Sequence, residues 1–204
     1  MTHIFLPMDY DFTDSHCLRQ QLLFTSSPLS ADLEVTGFPL ATLLVSSSQP
    51  DAALFLFLLC VDTQGKAHYI TEACLRVSSR ATLPPSTPPS PSSSLGTSVL
   101  CYPGLPRHSF RRADVKFLTP GVPVRVEIVF QPSSYRILRG QSIRLAVAGS
   151  NPRDFLPIPL GEGVDFYDLT LHVDAGKDER AGIERRMEGS NAGLGGCRLV
   201  LPVV

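Results

Sequence analysis

The residues most able to do chemistry in this chain stand apart from one another. Serine-based acyl transfer uses a nucleophile elbow, G-x-S-x-G, in which small residues permit the strained turn that presents the hydroxyl. The nearest approach is Gly140-Gln141-Ser142-Ile143-Arg144, where Arg144 stands in place of the last glycine and the run leads from a turn into a strand. A general base would have to come from His3, His16, His68, His108 or His172, and none stands in a motif that pairs it with a nucleophile. For a metal ion, His172 and Asp174 share one face of an extended segment, and Asp9, Asp11 and Asp14 have the flavour of a calcium loop. Both sets lack the further ligands or the glycine that such sites require. The five cysteines, Cys17, Cys60, Cys74, Cys101 and Cys197, are odd in number, scattered, and include no C-x-x-C, so they read as neither a disulfide framework nor a zinc site. Cys60 and Cys74 sit in apolar runs and read as core packing in a reducing, cytoplasmic setting. On these residues we expect no catalytic set, no metal and no cofactor.

The elements that must position any site are strands. The 204 residues suffice for one domain with a sizeable core. From Pro39 onward, bursts of Leu, Val, Ile and Phe alternate with Pro, Gly, Ser and Asp at the spacing of an all-β sandwich. The pattern predicts strands at Gln21 to Thr25, Leu40 to Ser46, Leu54 to Val61, His68 to Val77, Val122 to Phe130, Tyr135 to Leu138, Ser142 to Ala148, Asp168 to Val173 and Arg198 to Val203. Asp62 to Gly65 reads as a hairpin turn, and Arg139 to Gln141 as a second one, because glycine takes the left-handed conformation such turns use. In Ser142 to Ala148, Ile143, Leu145 and Val147 define a core face, leaving Arg144 and Ala146 on a wetter one.

Two stretches break the rhythm. Thr82 to Ser94, with five prolines, reads as a disordered insertion, with a ligand for an SH3-type domain as a second reading. Ala175 to Gly196 is charged and Gly-rich and reads as a further insertion, with a short solvated helix over Glu179 to Met187. The formal net charge of -1 supplies no field for nucleic acid or anionic lipid. The longest apolar run, Ala52 to Val61, is about half of a membrane-spanning helix and reads as a buried strand. The Met1 segment has no basic start, no long apolar stretch and no small-residue cleavage site, so secretion is not indicated.

The order of several segments resembles the C-terminal domain of X-Pro dipeptidyl-peptidases and cocaine-esterase-like (CocE/NonD) acyl hydrolases. The most specific pieces are PLSADLEVTG at Pro28 to Gly37 and YRILRGQSIRLAVAGSN at Tyr135 to Asn151, and the likeness runs from about Gln20 to Val204, after an extension over residues 1 to 19. The resemblance implies a jelly-roll β-sandwich of the galactose-binding-like type. In such enzymes an α/β-hydrolase domain carries the serine triad, the activity is dipeptidyl-peptidase or ester and amide hydrolysis, and the sandwich packs on the hydrolase domain. The sequence departs from the family after Pro50-Asp51, where Ala52-Ala53-Leu54 replaces a stretch that usually holds a second acid, and again in Asn151 to Gly163.

The expected role is therefore a non-catalytic docking domain, whose partner is an α/β-hydrolase domain or a second copy of the chain, with no nucleic acid and no membrane involved. The apolar Phe155 to Leu160, a loop with two prolines poorly suited to core burial, places Phe155, Leu156 and Ile158 at or near the docking face. The alternative is a free-standing module for carbohydrate or another small ligand, for which an exposed aromatic platform would speak. A third reading is a whole enzyme with an unrecognised site.

Overall fold

The computed structural model describes residues 21–84, 104–151, 155, 158, 167–173 and 197–204. Expectations for residues 1–19, for 85–94 and for 175–196, and for Leu156, Asp174, Cys17 and Cys101, fall outside them. Ten strands and two short 3-10 turns make up the regular structure of the described residues.

One layer is a four-stranded antiparallel sheet in the order β1 (Gln21–Thr25), β8 (Ser142–Ala148), β4 (Ala53–Val61), β5 (Ala67–Arg76). The other is built on β3 (Leu40–Ser47), flanked by β6 (Val124–Val129) on one edge. Its opposite edge is shared: β10 (Arg198–Val200) pairs with the first half of β3, and β9 (Leu169–Leu171) with the last. A two-stranded sheet of β2 (Leu33–Gly37) and β7 (Ser133–Ile137) continues this layer toward the C-terminal tail, where Val35 bridges Val203. Alternating residues of both layers face inward. Leu54, Leu56, Leu58 and Cys60 of β4 and Ile143, Leu145 and Val147 of β8 join Leu43, Val45, Val126, Ile128, Phe130, Ile137 and Leu199 in one buried cluster. This is an all-β sandwich.

The strand β2 was absent from the expected set, although Leu33 and Val35 are buried and Glu34 and Thr36 exposed, the alternation of a half-buried strand. The strand expected from Val122 begins at Val124, since Pro123 has no N–H for the ladder. The turn at Asp62 to Gly65 closes the β4–β5 hairpin, with Gly65 at φ 85°. Gly140, also at φ 85°, makes the expected turn, but no hairpin follows. β7 pairs with β2 while β8 pairs with β1 and β4, so this turn carries the chain from one layer to the other. A reading of local turn chemistry fixes the reversal of direction and leaves the pairing partner to the packing of the whole chain. In β5 the expected burial of Cys74 fails: it is exposed, because it alternates with the inward-facing Ala73 and Leu75.

Thr82, the first residue of the expected insertion, bridges His108, and the Leu83 amide donates to the Arg107 carbonyl at 2.8 Å.

Candidate docking face

A sheet in a sandwich needs one apolar face. The four-stranded sheet has a second one along β4, bordered by Glu72 opposite Phe57 and Arg144 opposite Leu59. β4 carries apolar side chains at every position from Ala53 to Val61, so Phe55, Phe57, Leu59 and Val61 emerge on the side away from the core. The ladder supplies them with small neighbours: Phe55 stands opposite Ala148 and Phe57 opposite Ala146. Ala146 and Ala148 are both buried, which overturns the expectation that this face of β8 is the wetter one. The alanines leave space for two phenyl rings that larger side chains would fill, and together with Ala67 these residues form a second buried cluster.

At the margin of this layer, Leu23 of β1, opposite Ala146, is 36% exposed, and Tyr69 of β5, opposite Leu59, is 39% exposed. Cys74 stands opposite Phe55. Phe155 is 48% exposed, its ring lies 5.0 Å from that of Phe55 between centroids, and its amide donates to the Asn151 carbonyl at 3.0 Å. Of the three residues expected at a docking face, Phe155 thus lies against the outer layer, Ile158 is partly buried, and Leu156 is outside the described residues. Leu23, Tyr69 and Cys74 were not anticipated there. Their signal was the unbroken apolar run of β4 beside the Ala146 and Ala148 pair, a pattern of strands covered on both faces.

Residues with chemical potential are otherwise engaged. His68 meets the Asp62 carboxylate at 2.9 Å, and His108 donates from Nε2 to the Glu127 carbonyl at 2.8 Å. His172 shares a 2.8 Å hydrogen bond with the Ser46 hydroxyl. That pair has the reach of a nucleophile and its base, but Ser46 is buried within a regular strand, near its end, and is not presented by a turn. No group of three metal-ligating side chains occurs among the described residues. No helix among them is long and apolar enough to cross a membrane. A small apolar cleft of about 80 Å³, lined by Leu22, Val45, Leu54, Val147, Gly149, Leu169 and Leu171, opens between the layers. Ligand sites usually span about 300–1,000 Å³, so it offers no room for a sugar.

Asp51, marked in the sequence only as part of the Pro50-Asp51 pair, is the buried polar anchor of this region. Buried at the entry to β4, its carboxylate accepts from the amides of Ala52 and Ser78 at 2.9 and 3.0 Å, the Ser78 hydroxyl at 2.8 Å and Arg76 Nε at 2.5 Å. It pins the loop before β4 to the end of β5, which fixes where the outer layer begins. Tyr167 does the same from the other side, its hydroxyl accepting from the Ala53 amide at 3.0 Å and donating to the Gly149 carbonyl. Burial raises the Tyr167 pKa.

A family model described as the X-Pro dipeptidyl-peptidase C-terminal non-catalytic domain matches residues 5–179. The chain belongs to this family. This C-terminal domain is 34% identical over 153 residues to a Mycobacterium bovis protein that bears the name of a serine esterase, covering 74% of the chain and 22% of that protein. The chain thus spans about a fifth of the length of the curated relatives it matches. Among solved structures, a CocE/NonD family hydrolase from Staphylococcus aureus aligns with a TM-score of 0.58 at 17% identity, over 91% of this chain and 31% of that one. An α-amino acid ester hydrolase aligns with a TM-score of 0.57 at 18% identity, over 91% and 26%. At such identities the likeness is one of fold, and it is the β-sandwich that these hydrolases share with the C-terminal domain described here.

Proposed function

We propose that this domain docks on an α/β-hydrolase domain through the outer face of its four-stranded sheet, with Phe155, Leu23 and Tyr69 at the contact, and takes no covalent part in the reaction. The observation that carries the reading is the second apolar layer of Phe55, Phe57, Leu59 and Val61, placed on the side of the sheet that the sandwich core does not use. That layer is itself buried, so the area a partner would withdraw from water is that of Leu23, Tyr69 and Phe155 at its margin, at about 25 cal/mol per Å². The buried Oε1 of Gln21, which has no hydrogen-bond partner, lies on the edge strand of the same sheet and would gain a donor from that partner. The enzymatic role follows from the family: a hydrolase of the CocE/NonD type would supply the serine chemistry, and the domain would order and wall its substrate cleft. The extension over residues 1 to 19, the domain over 20 to 204 and the insertions at 82 to 94 and 175 to 196 complete this division of the chain.

The test is co-expression with the remaining part of the Mycobacterium bovis relative, followed by size-exclusion chromatography. A stable heterocomplex is expected, and Phe155→Asp combined with Leu23→Asp should abolish it while leaving the domain folded. The chain alone should not hydrolyse X-Pro-nitroanilide or p-nitrophenyl esters. A monomer that never joins the hydrolase part, or a complex indifferent to both substitutions, would rule the face out.

A further inference from the structure

The loop from Arg107 to Phe117 combines features that core packing does not explain. Phe110 is 70% exposed and holds φ at 50°, the one non-glycine residue at positive φ among those described. A left-handed backbone is costly for a bulky residue, and strain of this kind persists where the surroundings enforce it. Here they do. On the N-terminal side the Ser109 amide donates to the Ala81 carbonyl at 3.0 Å, and the Phe110 ring lies edge-on to His108, which is itself fixed on the Glu127 carbonyl. On the C-terminal side the Lys116 amide donates to the Ser78 carbonyl at 2.8 Å, Arg80 donates to the Lys116 carbonyl, and the Leu118 amide donates to Pro50.

Ser78 and Ala81 are three residues apart, so the two anchors lie within about 10 Å of each other. Phe110 and Phe117, the latter 64% exposed, each sit one residue from an anchor. Between them come three cations, Arg111, Arg112 and Lys116, all exposed, against one acid, the partly buried Asp114, and among the described residues no carboxylate forms an ion pair with any of the three. The loop is thus held rigid from beneath while it presents two aromatic rings and three cations to solvent.

We propose that this loop is a second interaction surface, separate from the sheet face, that binds an acidic protein segment carrying apolar side chains. Charge complementarity selects the partner: three exposed cations, outnumbering the loop's one acid, Asp114, attract carboxylates, and the rings withdraw from water against apolar groups. A nucleic acid fits less well, because three cations are few against the six to ten phosphate contacts typical of such sites, and the chain's net charge of -1 adds no wider field.

The experiment is fluorescence anisotropy with the full chain and a labelled peptide of Glu, Asp and Leu. A Lys, Ser and Leu peptide of equal length, a single-stranded DNA oligonucleotide and vesicles of phosphatidylserine and phosphatidylcholine complete the set. Saturable binding of the acidic peptide is expected, weakening as salt shortens the Debye length. Arg111→Gln with Arg112→Gln should weaken it about tenfold. Phe110→Gly should also weaken it while leaving Tm unchanged or raising it by up to about 4 °C, because glycine relieves the left-handed strain. Tighter binding of the oligonucleotide or the vesicles, equal binding of the basic peptide, no binding at all, or an affinity untouched by these variants would each overturn the proposal. Loss of the hydrolase complex in the Phe155 and Leu23 variants, with peptide binding retained, separates this surface from the sheet face.

Discussion

The Phe155 ring rests on Phe55 with the ring planes tilted by 48°, so a half-exposed aromatic covers a buried one on the outer side of the sheet. Deleting the two rings should therefore have unequal effects. Phe155→Ala is expected to cost less than about 1 kcal/mol, whereas Phe57→Ala, buried in the same layer, should cost about 3 kcal/mol. Urea unfolding of both variants decides the matter, and equal losses would place Phe155 in the domain's own core.

Asp51 should be the most sensitive polar position. Asp51→Ala strands Arg76, the Ser78 amide and the Ser78 hydroxyl at once, and loss of one member of such a buried set costs about 3–5 kcal/mol, or a Tm lower by roughly 10 °C. Arg76→Ala should cost clearly less, since Asp51 keeps three donors and Arg76 is half-exposed. Calorimetry on the two variants would show the asymmetry, and equal effects would mean that the ion pair rather than the amide cage holds this corner.

The β4–β5 turn carries a pH signature. The hydrogen bond from His68, followed by the amides of Lys66 and Gln64, holds the Asp62 carboxyl below the ordinary aspartate value of 3.8. A depressed folded-state pKa gives a contribution to stability that is complete above that value and lost as the pH falls beneath it toward the folded pKa. Between about pH 5 and pH 3 the Tm of the native chain should therefore fall more steeply than that of Asp62→Asn. Parallel melting curves across this window would show that the turn contributes nothing through its charge.

Cys74 and Cys60 should differ in reactivity. Cys74 is exposed, while Cys60 is buried with its thiol donating to Gln141 Oε1 at 3.3 Å. Partial desolvation and then the charge of Glu72 hold the Cys74 pKa above its ordinary value, so its reaction with a disulfide reagent should be slow at neutral pH and accelerate in alkali. Native-state titration of the chain and of Cys74→Ala should differ by one thiol, and Cys60 should react only on unfolding. A native Cys74 that resists the reagent at alkaline pH would mean that the outer face is covered.

Much of the sandwich could be read from residue order alone. β1 and β8 have their expected limits and β4 is one residue longer than expected, because long apolar runs between turn residues have few alternatives. What escaped was decided by contacts distant in sequence. The LEVTG strand is short and half polar, and becomes a strand by pairing with Ser133–Ile137. Cys74 looked buried because its neighbours in sequence are apolar, but the pleat turns it outward. Phe155 was singled out from its proline-rich setting, whereas Leu23 and Tyr69 gave no local sign, since their place on one face follows from the strand order β1-β8-β4-β5. Phe110 lay in a stretch to which no strand or site was assigned, and its left-handed backbone has no sequence signature in a residue that rarely adopts it.

The pairings that close both layers also set when the domain can form during synthesis. Gln21 waits for Ala148, and Ala41 waits for Leu199, so the four-stranded sheet cannot close before Ala148 has left the ribosome, and the sheet built on β3 not before Leu199. Until Ser142 emerges, β4 travels as a nascent segment with one unpaired edge and apolar side chains on both faces, the kind of surface that chaperones bind and that aggregates when released early. Chains stalled before Ser142 should therefore be retained by chaperones, and retention should fall once Leu199 has emerged and both layers can close.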